Sequence, residues 1–159
     1  MKVYRACPIY YPHLEYGGSV IADYTIDELC SKHNIDIEVV TCSINSEKER
    51  SYNRKIKYFR CIGNPIYGIS LSALYYLSKI CFSSLIYGRK EEVIWFGGIW
   101  NFLTIIGGMI CAISGAKYVI SVHGMLAHDL IQMKNAKLKS LLLKFPLKFI
   151  LKRAKYMHC

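Results

Sequence analysis

Lys117-Tyr118-Val119-Ile120-Ser121-Val122-His123-Gly124 is the stretch on which the fold turns. Its unbroken β-branched and aromatic run suits a central parallel strand covered on both faces, and His123-Gly124 closes it in a turn. Upstream, residues 100–114 are apolar nearly all round, which predicts a buried helix, and residues 93–96 before it read as another strand. A helix over 70–85 is expected to carry Leu74, Leu77, Cys81 and Leu85 on one face. Nearer the N-terminus, residues 3–7 form a short strand and 8–18 a loop rich in Tyr, Pro and Gly. After Gly17-Gly18, Ser19 is placed to cap a helix whose Ala22, Ile26, Leu29 and Cys30 recur at helical spacing. Ile35, Ile37 and Val39 alternate with Asp36 and Glu38 as in a half-buried strand, residues 43–54 read as a loop, and 55–61 repeat the alternation weakly. Downstream, 127–155 is helical with a kink or break at Pro146, and 156–159 begins one more strand. Alternating strands and helices imply an α/β domain with an open, mostly parallel sheet and helices on both faces. In such sheets ligands bind outside the carboxyl ends of the strands, where Gly17-Gly18 and His123-Gly124 both fall.

The composition fits one folded domain over residues 1–159. At 53% hydrophobic and 20% charged, the chain holds ample apolar surface to offset the entropy of ordering. Cys7, Cys30, Cys42, Cys61, Cys81, Cys111 and Cys159 are scattered, odd in number and never spaced C-x-x-C, so they read as thiols in a reducing compartment rather than as a disulfide framework or zinc site. Lys2 and Arg5 interrupt the apolar start, against a cleavable signal peptide, and a cytoplasmic location is expected. The formal charge of +10 is concentrated: residues 1–133 carry 13 basic and 11 acidic side chains, whereas 134–159 carry eight basic and none acidic.

Several residues could carry chemistry. Gly17-Gly18, between a strand and a helix start, leaves bare amides where a phosphate would be favoured, or simply makes a turn. His123 could project into the cleft as a hydrogen-bond donor or an acid–base group, or be tied to backbone. His13, His33, His128 and His158 lack metal-ligand spacing, and no metal site is expected. Glu15 and Asp129 are the acids nearest the expected cleft. Trp95 and Trp100 offer stacking surfaces or core. Residues 95–116 are long and apolar enough to span a bilayer, although Gly97-Gly98 and Gly115 divide them into strand, helix and turn.

With these in place, the chain resembles the N-terminal domain of the retaining GT-B glycosyltransferases of family 4. The resemblance rests on Tyr11-Pro12 through Gly17-Gly18 after the first strand, on Gly98-Ile99-Trp100, and on Tyr118 through Leu126 followed by a Lys-rich helix and Tyr156-Met157-His158. It implies the Rossmann-like, acceptor-side half of a GT-B fold, with a second, donor-binding domain that the 159 residues do not include. It also implies transfer from a nucleotide sugar to a glycan or lipid-linked acceptor in envelope or surface-polysaccharide assembly, without metal or other cofactor. Gly17 and Gly18 would approach the donor diphosphate and His123 the reacting centre, with Glu15, Trp100 and Gly124 bordering the substrate cleft. Many relatives have a His-Gly pair where Gly97-Gly98 stands, so that imidazole is missing here.

A second reading is a non-catalytic, peripheral membrane-binding module. Lys137, Lys144, Lys148, Lys152 and Lys155 recur at near-helical spacing beside Leu138, Leu141, Leu142, Phe145 and Phe149, as a solvated face or a surface for an anionic membrane on the inner side of the cell. No recognition-helix, RNP or zinc-finger pattern points to specific nucleic-acid binding.

Overall fold

The computed structural model describes residues 1–45, 49, 55–88, 91–127 and 136–158. Six strands, β1 (Lys2–Ala6), β2 (Asp36–Cys42), β3 (Ile56–Phe59), β4 (Glu92–Gly97), β5 (Tyr118–Ser121) and β6 (Tyr156–His158), build one parallel sheet in the order β3-β2-β1-β4-β5-β6. This is a Rossmann-like α/β fold. The chain reverses its direction of growth between β1 and β4, so the crevice outside their carboxyl ends is where a ligand would sit.

The helices are α1 (Gly18–Lys32), α2 (Leu71–Ile86), α3 (Phe102–Ser114), α4 (Ala136–Leu142) and α5 (Lys148–Arg153). A π-helical turn, Leu143–Leu147, joins the last two at the expected kink, where Pro146 cannot donate a backbone hydrogen bond. Ser70 caps α2 by accepting from the Ala73 amide at 3.3 Å, and Asn101 caps α3 by accepting from Thr104 at 2.8 Å. At α1 the expected cap is displaced: Gly17 occupies the N-cap, Ser19 lies inside the helix, and no side chain caps it.

One face of the sheet is an apolar core. Tyr4, Ala6, Val40, Ile94, Phe96, Tyr118 and Ile120 pack against Ala73, Leu77 and Cys81 of α2, Leu103 and Cys111 of α3, and Leu147 and Ile150 beyond the π turn. The opposite face is different in kind. Because strand side chains alternate, Arg5 in β1 points away from Tyr4 and Ala6, and it is fully buried.

That arginine turns α1 away from the expected orientation. Of the stripe Ala22, Ile26, Leu29 and Cys30, three are half-buried and Leu29 is exposed, while the fully buried residues are Val20, Asp23 and Asp27. An arginine inside a sheet is tolerated only beside compensating charge, and Asp23 and Asp27, four apart, place two carboxylates on one face of α1. On α2, Leu85 likewise faces solvent while Ala73 and Ile80 join Leu77 and Cys81 inside.

The run over 95–116 is strand, turn and the 13-residue α3, shorter than the ~20 residues a span requires. Pro65–Ile86, 22 residues holding an 18-residue stretch of mean hydropathy 1.4, has the length and composition to cross a bilayer, but the α-helix within it is the 16-residue α2, whose inner side is committed to the core.

Candidate functional site

A cleft of about 490 Å³ opens outside the carboxyl ends of β1 and β4. Its walls come from the segment between β1 and α1 (Cys7, Ile9, Tyr16), the start of α1 (Ser19, Val20), the turn after β4 (Gly98, Trp100) and the loop after β5 (Met125). Most of this lining is apolar. Asp23 and Lys139 bring the formal charges.

Asp23 belongs to a buried network centred on Arg5. The Arg5 guanidinium donates to Asp27 from Nε at 3.0 and 3.2 Å and from Nη2 at 2.5 Å, and to Asp23 Oδ1 from Nη1 at 3.3 Å. Tyr10 donates its hydroxyl to Asp27 Oδ2 at 2.8 Å, and the indole of Trp95 lies 4.1 Å from the guanidinium. Burial works against the charged guanidinium, yet the two carboxylates outweigh it and hold the group protonated. Burial and Asp27 push the Tyr10 hydroxyl far up, and burial with Asp23 raises the Cys7 thiol, leaving both neutral.

One arginine opposite two carboxylates leaves a formal excess of one negative charge, and it is Asp23 that reaches outward. Its Oδ1 lies 3.1 Å from Nε2 of His123, whose side chain is 11% exposed. His123 and Gly124 both have positive φ, 45° and 71°, and Met125 N donates to the Val122 carbonyl at 2.8 Å. The tight turn after β5 thus holds the imidazole against Asp23 in a backbone conformation uncommon for a non-glycine residue. Carboxylate and imidazole form a pair in which the acid fixes the orientation of the ring.

Behind His123 lies a second histidine. Trp95 Nε1 donates to Ser121 Oγ at 2.7 Å, Ser121 Oγ lies 3.2 Å from His158 Nδ1, and the two imidazole rings are 6.4 Å apart. Trp95 is therefore bonded into the network rather than presented to a ligand, whereas Trp100 lines the cleft, donating to the Met125 carbonyl at 3.2 Å with Lys139 Nζ 5.5 Å from its ring.

Gly17 has φ +114°, closed to other residues without strain, and its amide donates to the Leu14 carbonyl at 3.2 Å. Gly18 starts α1 with open space where a Cβ would project. Its amide falls in the first helical turn, where no i−4 carbonyl is available. Tyr16 and Ser19 on either side line the cleft.

The expected site residues are thus gathered unequally. Trp100 lines the cleft; His123, Gly17 and Gly18 do not, His123 being bonded to the lining Asp23 and Gly17-Gly18 standing in sequence between the lining Tyr16 and Ser19. Gly124 is exposed in the His123 turn. Glu15 is exposed and lies 3.5 Å from Nδ1 of His13, which is buried against Glu49. Asp129 and His128 lie outside the described residues. Lys137, Lys144, Lys148 and Lys152 follow the α4–α5 path, and Lys155 lies past its end, its amide donating to the Tyr118 carbonyl at 2.8 Å. Lys139, which sequence spacing did not single out, is the lysine that lines the cleft.

No protein-family model matches the chain, and no curated protein matches it in sequence. Among solved structures, 98% of the chain superposes on 40% of the chain of MurG from Acinetobacter baumannii, a GT-B glycosyltransferase, with a TM-score of 0.52 and 15% identity. At that identity the likeness is one of fold: the chain has the architecture of part of a GT-B glycosyltransferase, and family 4 is not singled out. It spans less than half the length of that relative.

Proposed function

We propose that this chain is the acceptor-side half of a GT-B glycosyltransferase, acting with a donor-binding half to move a sugar from a nucleotide sugar to an envelope acceptor. The observation that carries the reading is the Asp23–His123 pair, whose Asp23 lines the cleft at the β1/β4 crevice, with the Gly17-Gly18 helix start between the lining Tyr16 and Ser19. An oriented imidazole can accept or share the proton of an attacking hydroxyl, and amides at a helix start stabilise charge on the departing diphosphate. The apolar walls suit an acceptor with a lipid or aromatic portion, and Lys139 suits a phosphate upon it.

The family 4 reading adds retention of configuration and independence of metal. Its most specific support is the sequence from Ser121 to Leu126. In the protein joined to a donor-binding domain, release of nucleoside diphosphate should depend on acceptor and be unaffected by EDTA. His123→Ala should lower kcat by about 10²–10⁴-fold, the range for a lost acid–base group. Unchanged turnover in that variant would overturn the role of His123, and an inverted product anomer would overturn the family 4 reading.

The outer side of the helical layer supports a membrane-attached acceptor. Leu71, Tyr75, Phe82, Leu85 and Ile86 of α2 are exposed, as are Leu138, Leu141 and Phe145 on the basic α4–α5 segment. Apolar side chains beside lysines suit an anionic bilayer surface, burying the former in the acyl boundary and leaving the latter at the headgroups.

A further inference from the structure

At the end of the sheet opposite the cleft, α2 and α3 bring two cysteines together. Cys81 Sγ and Cys111 Sγ are 3.5 Å apart, both almost wholly buried, and both are free thiols. Beside them is a second pocket of about 230 Å³, lined by Cys81 and Ser114 and rimmed by the exposed Leu85, Gly88, Gly115 and Lys117. Several water-sized molecules fit a space of that volume. Burial would raise both thiols, but hydrogen bonding treats them oppositely. Donation from Cys111, then burial in the opposing sense, then a bond from Ser114 leave Cys81 below its ordinary value, while the shared bond and burial drive Cys111 well above it. Of the two, Cys81 is the sulfur that lines the pocket, so it is the one that a small reagent entering there meets first.

We propose that Cys81 and Cys111 form a peroxide-reactive thiol pair, in which Cys81 is the attacking sulfur, Cys111 the resolving one, and the product a reversible α2–α3 disulfide. In the first step the Cys81 thiolate attacks one oxygen of a small hydroperoxide. The O–O bond breaks, the other oxygen leaves as water or an alcohol after taking a proton, and Cys81 becomes a sulfenic acid. In the second step the Cys111 sulfur attacks the Cys81 sulfur, the S–O bond breaks, and hydroxide leaves as water with the Cys111 proton. Two thiols lose two electrons and one hydroperoxide gains them. Closing the bond requires the sulfurs to approach by about 1.5 Å, from 3.5 Å to the ~2.05 Å of a disulfide, with rotation of both side chains. A cellular dithiol would reverse it.

This assignment is independent of the glycosyltransferase reading and needs no sugar substrate to test. The full chain is treated with a small excess of hydrogen peroxide at neutral pH, blocked with iodoacetamide, and digested with trypsin, which cuts between the two cysteines at Arg89 and Lys90. Expected are the loss of two thiols, a linked peptide joining Cys81 to Cys111, a Tm higher by about 5 °C or more because a 30-residue loop is closed, and return of all three to the starting state with dithiothreitol. Cys111→Ser should stop at the sulfenic acid, trapped by dimedone on Cys81, and in Cys81→Ser the dimedone label on Cys111 should be at least tenfold below the label that Cys81 takes in Cys111→Ser. Cys111→Ala serves where the serine variant fails to fold, and the wild-type peptide map stands without either. A link joining another pair of cysteines in its place, labelling of Cys111 in Cys81→Ser equal to that of Cys81 in Cys111→Ser, or retention of all thiols under peroxide overturns the proposal.

Discussion

Replacing Asp27 and Asp23 one at a time by asparagine should separate a carboxylate that holds the fold from one that serves the site. Both are buried against Arg5, but their geometries differ. Asp27 takes three guanidinium contacts between 2.5 and 3.2 Å and the Tyr10 hydroxyl at 2.8 Å, so both oxygens are committed inward. Asp23 takes one guanidinium contact at 3.3 Å and turns the same oxygen toward His123. Asp27→Asn leaves Arg5 with only that longer contact, and breaking a buried pair costs about 3–5 kcal/mol. Asp23→Asn leaves the bidentate pair whole and turns the contacts with Arg5 and His123 from charged into neutral ones, a loss of about 1–2 kcal/mol. Against a total of about 5–15 kcal/mol, and with a urea slope of about 2 kcal/mol/M, the midpoint should fall by about 1.5–2.5 M in the first variant and about 0.5–1 M in the second. Tryptophan fluorescence against urea reads both, since Trp95 stacks on Arg5. On the proposed function, glycosyl transfer by the chain joined to a donor-binding domain should order the variants the other way when each is assayed folded. A midpoint for Asp23→Asn as low as that for Asp27→Asn would refute the division of roles.

Gly18→Ala places its Cβ in open space at a helix start, so stability should be unchanged or rise by about 0.4–1 kcal/mol. If the donor diphosphate approaches that backbone, KM for the nucleotide sugar should rise at least tenfold, and an unchanged KM would remove Gly18 from the donor site. The pH dependence of stability should carry a contribution from Glu38, where burial alone would raise the carboxyl but hydrogen bonds from Tyr76, Lys2 and Lys57 outweigh it and hold it below the ordinary 4.5. Its contribution is fully present above that value and is lost as pH falls through the lower folded value. Urea midpoints between about pH 6 and pH 3 should thus decline less steeply in Glu38→Gln, part of the slope remaining with the similarly lowered Glu49; parallel curves would count against it. At about 1 kcal/mol per lysine, changing Lys137, Lys144, Lys148, Lys152 and Lys155 to Gln should weaken sedimentation with anionic vesicles by more than ~100-fold at low salt. Phe82→Ser with Leu85→Ser should weaken it at every salt concentration, and equal binding to neutral vesicles would argue against the charged surface.

The sheet and its order of elements were legible because parallel strands buried on both faces leave continuous apolar runs, as at Tyr118–Ser121, and because Gly and Pro mark the turns between them. His123 and Gly17 were legible for the same reason: polar or glycine residues at strand ends stand out against such runs. Arg5, Asp23 and Asp27 were missed because periodicity was read from apolar residues alone, and on α1 the buried stripe is acidic. The signal was nevertheless present. A single arginine inside Val3-Tyr4-Arg5-Ala6-Cys7 must be compensated if the strand is central, and the next helix offers two aspartates at i, i+4. The glycine at 97 then acquires a physical reason. A Cβ there would lie 2.2 Å from Asp23 Oδ2 and 3.0 Å from Cys7 Cβ. A side chain in the turn after β4 and an Asp23 carboxylate bonded to both Arg5 and His123 therefore compete for the same space. The imidazole that the family resemblance leads one to expect at position 97 and the acid that orients His123 compete for one place: in this chain the carboxylate has the space, and it holds the imidazole of His123 on the β5 side.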